Sequence, residues 1–459
     1  MVFSSNSFIF RFLIIFMVIY LSVPKKYRNV ILLLGSLIFY GIGEPYFIWI
    51  LAGSVVVNYG LSRQIIQKRS KKTLIATLVL DFGILFLFKY WDFGVENINR
   101  LLKNDALPLL HLALPLGISF YTFQMVSFQI DCYKGKIPKK ISFVEFATYI
   151  CMFPQLVAGP IVKYEEIEGA LKDRECTLKG IEQGFQIFTI GLALKVLLAN
   201  SIGTLWSTIQ TAGTIGLSAK VAWLGAVAYS FQIYFDFWGY SVMAIGLGKM
   251  IGFSLPMNFR NPYISKSVSE FWRRWHITLG RWFKEYVYIP LGGNRKGTPR
   301  TVLNLFVVWA LTGLWHGASW NFVIWGLTFF VLIALEKIFL GKILEKHGWL
   351  GHIYVILVLP ITWVVFGITN LKMLVQYLSC MFGMPGANIL VGSEQFARYI
   401  GTYGVLLLFC ILFSTPIPMR IYKRFSEKFF MKMVLVAVFC WSVYELMQGS
   451  NNPFLYFRF

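Results

Sequence analysis

The residues best equipped for chemistry in this chain are two histidines, one acid in an apolar stretch and a tyrosine in an aromatic tail. His316 lies in Leu311-Thr312-Gly313-Leu314-Trp315-His316-Gly317-Ala318-Ser319-Trp320, within the almost wholly apolar run from Val302 to Phe339. An ionisable group at membrane depth is costly, and such a residue marks a functional site by default. Burial disfavours a charged ring, so the imidazole would stand neutral and ready to accept a hydroxyl proton. Acyl transfer from a thioester to an alcohol requires that step. On a continuous helix Trp309, Gly313, His316 and Trp320 share one face. Gly313 would then leave room beside the imidazole, and the indoles would wall it. The plain alternative is a core histidine bonding a carbonyl across helices. No nucleophile elbow and no Ser-His-Asp pattern accompanies it, which favours a direct base or an acyl relay through another hydroxyl.

The second histidine lies in a basic insertion. Taken as one helix, Ser269 to Tyr288 puts Trp272, Trp275, His276, Leu279, Phe283 and Tyr286 on one face. Arg273, Arg274, Arg281 and Lys284 fall on the opposite one. That pattern predicts a helix in the membrane plane, apolar face down and basic face toward phosphates. It is either a structural anchor or the cytoplasmic mouth of a tunnel for a phosphate-bearing donor. Asp236, in Ile233-Tyr234-Phe235-Asp236-Phe237-Trp238, would be expensive without a partner, so an Arg, a His or a helix end is expected beside it. The terminal Phe454-Leu455-Tyr456-Phe457-Arg458-Phe459 is too aromatic for a frayed tail. It reads as an interfacial anchor, or as a segment that brings the Tyr456 hydroxyl into a cavity.

The elements that must position these residues are membrane helices. Of 459 residues 57% are hydrophobic and 14% charged, against roughly 25% charged in soluble domains. Several segments reach the ~20 apolar residues that cross a bilayer core. The fold class expected is an all-α polytopic membrane protein of about eleven transmembrane helices with re-entrant or interfacial pieces. The first stretch, Ser7 to Val23, lacks a basic leader and a cleavage site, and is expected to remain as a helix. Segments 107–131 and 143–162, broken by Pro108, Pro115, Gly117, Pro154, Gly159 and Pro160, are expected in the interior, where protein covers the freed backbone.

Lys and Arg number 43 against 21 Asp and Glu. The excess lies in short loops such as Lys25–Arg28, Arg63–Lys72, Lys134–Lys140 and the insertion Leu255–Arg300. The positive-inside bias therefore places these loops in the cytoplasm and the N-terminus outside, and anionic lipid headgroups account for the remainder. No basic-aromatic module points to nucleic acid. The six cysteines are scattered singly, with neither metal spacing nor a disulfide framework. Without an internal repeat, a transporter of duplicated halves has no support.

The motifs together resemble the membrane-bound O-acyltransferase family, most closely the bacterial branch that includes the membrane subunit of alginate O-acetylation. The matching stretches are Met1–Ser5, Leu114-Pro115-Leu116-Gly117-Ile118-Ser119-Phe120-Tyr121-Thr122-Phe123-Gln124, and Phe153-Pro154-Gln155-Leu156-Val157-Ala158-Gly159-Pro160-Ile161. They continue with Tyr234–Ser241, Phe271-Trp272-Arg273-Arg274-Trp275-His276-Ile277-Thr278-Leu279, Gly313-Leu314-Trp315-His316-Gly317 and the aromatic terminus. The resemblance implies a ring of tilted helices around a central funnel, with His316 catalytic and His276 a second functional histidine near the cytoplasmic side. It implies that Tyr456 acts as an acyl relay.

On this reading residues 1–106 are N-terminal transmembrane helices, 107–370 the catalytic core and 371–459 the C-terminal helices and tail. Trp272, Arg273, Arg274, Trp275, Trp309, Trp315 and Asp236 are the candidate substrate-binding residues. No cofactor or metal is expected to be bound. The expected donor is acetyl-CoA rather than a D-alanyl carrier, and an extracytoplasmic acyltransferase acting on a polysaccharide is the expected partner. A channel or transporter, or a scaffold with no use for His316, are the competing readings.

Overall fold

The computed structural model describes residues 1–212, 216–384, 391–449 and Leu455. Among these residues every regular element is helical, apart from one isolated bridge between Leu217 and Val391. Helices satisfy their own backbone hydrogen bonds, which hydrocarbon cannot do for them. Five are long and apolar enough to cross a bilayer: Leu178–Thr211, Trp320–Lys346, Gly348–Gly367, Ser393–Ser414 and Phe429–Met447. Lys71–Lys89 and Trp91–Leu102 make a sixth if their 65° bend is taken as one broken span. The protein is an all-helical integral membrane protein.

Contacts divide the chain into two units, Met1–Thr189 with Tyr240–Met257, and Ile190–Gly239 with Asn258–Phe459. In the first unit helix α1 (Ile118–Tyr133) starts only after Pro115 and Gly117. Gly117 has φ of 76°, and a Cβ there would lie 2.7 Å from the Leu156 carbonyl oxygen. Only glycine permits both that conformation and that approach. At 16 residues α1 is short for a crossing. Residues 118–129 and 146–162 are buried throughout, so most of the two interrupted segments lies inside their unit; the stretch 107–114 around Pro108, expected there as well, is largely exposed. There Asn58 donates to Asp81 at 2.7 Å and accepts from Gln129 at 2.8 Å, a polar chain that pairs a buried carboxylate without a basic side chain.

The second unit contains the Ile190–Gly239 part of the chain, including most of helix α2 (Ala219–Met250), and the basic insertion. The insertion forms two short helices, α3 (Val268–Arg274) and α4 (Ile277–Phe283). It leads to α5 (Gly297–His316) and α6 (Trp320–Leu335). The last pair packs at backbone distance. A Cβ on Gly313 would meet the Phe322 carbonyl at 2.4 Å, and one on Gly326 would meet the Trp309 carbonyl at the same distance. The missing side chain at Gly313 therefore admits the neighbouring helix. It does not open space beside the imidazole, as the sequence had led us to expect.

Candidate active site

His316 is the last residue of α5. The chain then turns through Gly317 and Ser319, and Trp320 opens α6 with 44% of its surface exposed. The helical face expected to join Trp309, Gly313, His316 and Trp320 is thus cut at its fourth member. The rings around His316 come from elsewhere. Trp315, Trp325 and Phe366 stand edge-on to it, with centroids at 5.0, 4.9 and 5.3 Å. The imidazole is 4% exposed. Trp309 lies one layer out, against Trp272 at 4.8 Å and Phe329 at 5.3 Å.

The single helix expected over Ser269–Tyr288 is also broken, at Trp275 and His276. His276 adopts φ of 43°, in the left-handed region, where a non-glycine residue is strained and persists only if its surroundings hold it. The extended segment before α3 does so. Arg260 N–H donates to the Arg274 carbonyl at 2.9 Å, and Ile277 N–H to the Asn258 carbonyl at 3.0 Å. Asn258 Oδ1 then accepts from Thr278 N–H at 3.2 Å and Thr278 Oγ1 at 2.8 Å, capping α4, and lies 3.2 Å from His276 Nδ1. Most of the predicted burial pattern survives the break: Trp275, His276, Leu279, Phe283 and Tyr286 are buried, and Trp272 is half-buried.

Because a backbone N–H can only donate, the Asn258 atom facing Thr278 N is the oxygen, so the hydrogen between Asn258 and His276 sits on Nδ1. Burial pushes the His276 imidazole down to about 3, so the ring is neutral at physiological pH and its Nε2 carries a lone pair. That ring packs edge-on to Phe237 at 4.7 Å and to Trp315 at 5.9 Å. Trp315 is therefore the shared wall between the two histidines. Around them Trp275 packs against Trp363 at 4.8 Å, and Trp272 against Trp325 at 5.6 Å. Within this aromatic mass the indole N–H groups of Trp272 and Trp325 and the Asn258 amide nitrogen are buried without a hydrogen-bond partner among the described residues. Buried donors of this kind are rare in finished protein interiors and favour a polar ligand at the site.

Two buried imidazoles in one aromatic enclosure, His316 at the end of α5 and a neutral His276 beyond Trp315, suit proton abstraction from a hydroxyl. The family model for membrane-bound O-acyltransferases matches residues 57–374, a stretch that contains both histidines. This chain belongs to the membrane-bound O-acyltransferase family. It is 35% identical to the probable alginate O-acetylase AlgI of Pseudomonas putida, over the whole of both chains. It is 33% identical to the peptidoglycan O-acetyltransferase of Helicobacter pylori, over 91% of this chain and 86% of that one. A teichoic acid D-alanyltransferase of Streptococcus thermophilus is 28% identical over half of this chain and 58% of its own length. The protein is accordingly an O-acyltransferase, and the expectation of an enzyme rather than a channel or scaffold holds.

The remaining residues of this O-acyltransferase singled out from sequence separate in space. Asp236, on α2, is 1% exposed. Its Oδ1 pairs with Lys195 at 2.6 Å, and its Oδ2 accepts the Leu455 backbone N–H at 2.9 Å. The expected partner was an Arg, a His or a helix end; it is a lysine together with the C-terminal segment. Leu455 is buried and bound to α2 through that N–H, while Tyr456 lies outside the described residues. The two arginines of α3 also part company. Arg274 pairs with Glu270 at 2.8 Å and donates to the Arg260 carbonyl. Arg273 is exposed and lines a cavity of about 490 Å³ with Lys266, Glu270, Glu336 and Lys337. Glu336 caps the start of α3 from that cavity, its two oxygens accepting the Val268 and Ser269 N–H groups at 2.6 and 2.8 Å.

Sequence reasoning missed Asn258, Lys195, Trp325 and Phe366. Only the buried charge of Asp236 could have announced one of them, by demanding a counter-ion.

Proposed function

We propose that this O-acyltransferase takes an acetyl group from acetyl-CoA on the cytoplasmic side and passes it across the membrane for O-acetylation of an extracytoplasmic polysaccharide. The observation that carries the reading is the pair of buried histidines sharing Trp315 as a wall. A neutral imidazole at His316 accepts the proton of an attacking hydroxyl as its oxygen bonds the thioester carbonyl carbon. The C–S bond then breaks, and the thiolate leaves with the proton held on the ring. His276, fixed by Asn258, orients or relays on the donor side. Tyr456 offers the hydroxyl that first carries the acyl group, and a separate extracytoplasmic acyltransferase completes delivery. About eleven crossings around a central funnel would give the two sides a common passage. Acetyl is favoured over D-alanyl because the two O-acetyl relatives align over nearly all of this chain, and the D-alanyltransferase over half.

Mass spectrometry of the host's surface glycans with and without this protein tests the reading directly. O-acetyl esters should disappear with the protein. Glycans that lose D-alanyl esters instead, or lose nothing, would overturn it. Tyr456→Phe removes one oxygen and should stop delivery to the glycan, and unchanged acetylation would remove the relay.

The donor surface narrows to Arg273, because Arg274 is engaged. Arg273→Glu should raise the KM for acetyl-CoA about fivefold to thirtyfold, by the loss of a phosphate contact worth about 1–2 kcal/mol, and leave kcat near wild type. A KM that does not move would take this arginine out of donor binding. Asn258→Ala frees the His276 tautomer and uncaps α4. A drop in kcat of about tenfold to a hundredfold is expected from 1–3 kcal/mol of lost hydrogen bonding, visible in initial rates at saturating donor. Wild-type kcat would show that the tautomer of His276 is immaterial.

A further inference from the structure

In the first unit two arginines converge on one tyrosine. The Arg174 guanidinium lies over the Tyr20 ring at 5.7 Å, and that of Arg28 over the same ring at 5.8 Å. Arg174 is 8% exposed and further stacked on Phe253 at 4.5 Å. Its Nε donates to the Tyr20 hydroxyl at 2.8 Å, and its Nη1 to Asn29 Oδ1 and the Ala170 carbonyl. Beyond its stacking on Tyr20, Arg28 donates one long hydrogen bond among the described residues, from Nη1 to the Arg174 carbonyl at 3.5 Å. Neither arginine forms an ion pair with a carboxylate among the described residues. The two acids that flank Arg174 in sequence, Asp173 and Glu175, are taken by Lys25 at 3.5 and 3.3 Å. Arg28 Nε and Arg174 Nη2 are buried and unpartnered among the described residues.

Two permanent positive charges held this close, one of them buried, are costly without a counter-charge. The described residues supply none. We propose that the Arg28–Tyr20–Arg174 cluster binds a phosphate group, and that the phosphate belongs to the headgroup of an anionic membrane phospholipid. Guanidinium N–H pairs match phosphate oxygens bidentately, and two unused buried donors are what such an anion would complete. Arg28 is only half-buried beneath the exposed turn Pro24–Tyr27, which gives a headgroup entry. Val18, Ile19, Leu21 and Val30 are exposed apolar surface beside that turn, suited to acyl chains. The basic turn falls on the side where anionic lipid would be met if the positive-inside rule holds here.

Native mass spectrometry of the purified full-length protein, titrated with phosphatidylglycerol or phosphatidylcholine, tests this. Wild type should retain phosphatidylglycerol preferentially. Arg28→Gln, which gives up one long backbone contact and the stacking on Tyr20, should lower that preference about tenfold, equivalent to roughly 1.4 kcal/mol. Arg174→Lys, which keeps the charge but loses the fork, should lower it as well. Equal retention of the two lipids by wild type, or a preference untouched by Arg28→Gln, overturns the site. A wild type stabilised by millimolar inorganic phosphate but indifferent to phosphatidylglycerol overturns the lipid source and leaves a soluble phosphate as occupant.

Discussion

His316→Ala should insert in the membrane at wild-type levels and lose O-acetyl transfer by at least about two to four orders of magnitude, the range supplied by a positioned general base. The imidazole makes its ring contacts with Trp315, Trp325 and Phe366, all of which remain in place when it is truncated. The helix it terminates is held by the close approach of Gly313 and Gly326, several residues away from the ring. Folding and chemistry are therefore separable at this position. His316→Gln fills more of the space and keeps a polar end without a basic nitrogen, so it should be as inactive as the alanine variant. The measurement is transfer of radiolabelled acetyl groups in membranes normalised to protein content. A variant that transfers at the wild-type rate would remove His316 from the chemistry.

The largest effect on stability is expected at Lys195 and Asp236. Both side chains are at most 2% exposed and 2.6 Å apart. Removing one member strands the other, a loss that runs to about 3–5 kcal/mol for buried pairs. Among the described residues, Lys195→Met leaves the carboxylate with the Leu455 N–H, and Asp236→Leu leaves the ammonium with Asn200 Oδ1 at 2.7 Å. Each single variant should melt well below wild type in detergent. The double variant Lys195→Met with Asp236→Leu should recover much of the loss, because an apolar pair needs no counter-charge. Losses that simply add would show that the two residues are not coupled. Asp236→Leu alone should also loosen the tail, so limited proteolysis should clip the C-terminus faster than in Lys195→Met.

Much of the site was legible because it depends on local pattern. The apolar run around His316 and the basic turns between spans follow from composition. The buried face of 275–286 follows from periodicity, and it outlived the break in the helix that was expected to present it, with Trp272 only half-buried at its edge. That break was invisible because no proline or glycine marks Trp275–His276. It is imposed by hydrogen bonds from Asn258 and Arg260, more than a dozen residues earlier. Gly313 was noticed for the right reason, its missing side chain, and assigned the wrong neighbour. A helical wheel cannot say whether a gap faces a cavity or another backbone.

From its residues alone the chain determined that it would be a membrane protein of helices, that a histidine would sit deep in an apolar stretch, and that Asp236 would need a partner. These are statements about solvation, and solvation cost is a property of each side chain with its near neighbours in sequence. The tertiary structure decided that Trp325 and Phe366 enclose His316, that Asn258 sets the proton on His276, and that Lys195 answers Asp236. Those pairings join residues that sequence leaves between 9 and 50 positions apart, and only the packing of one helix against another chooses among the many side chains able to fill each role.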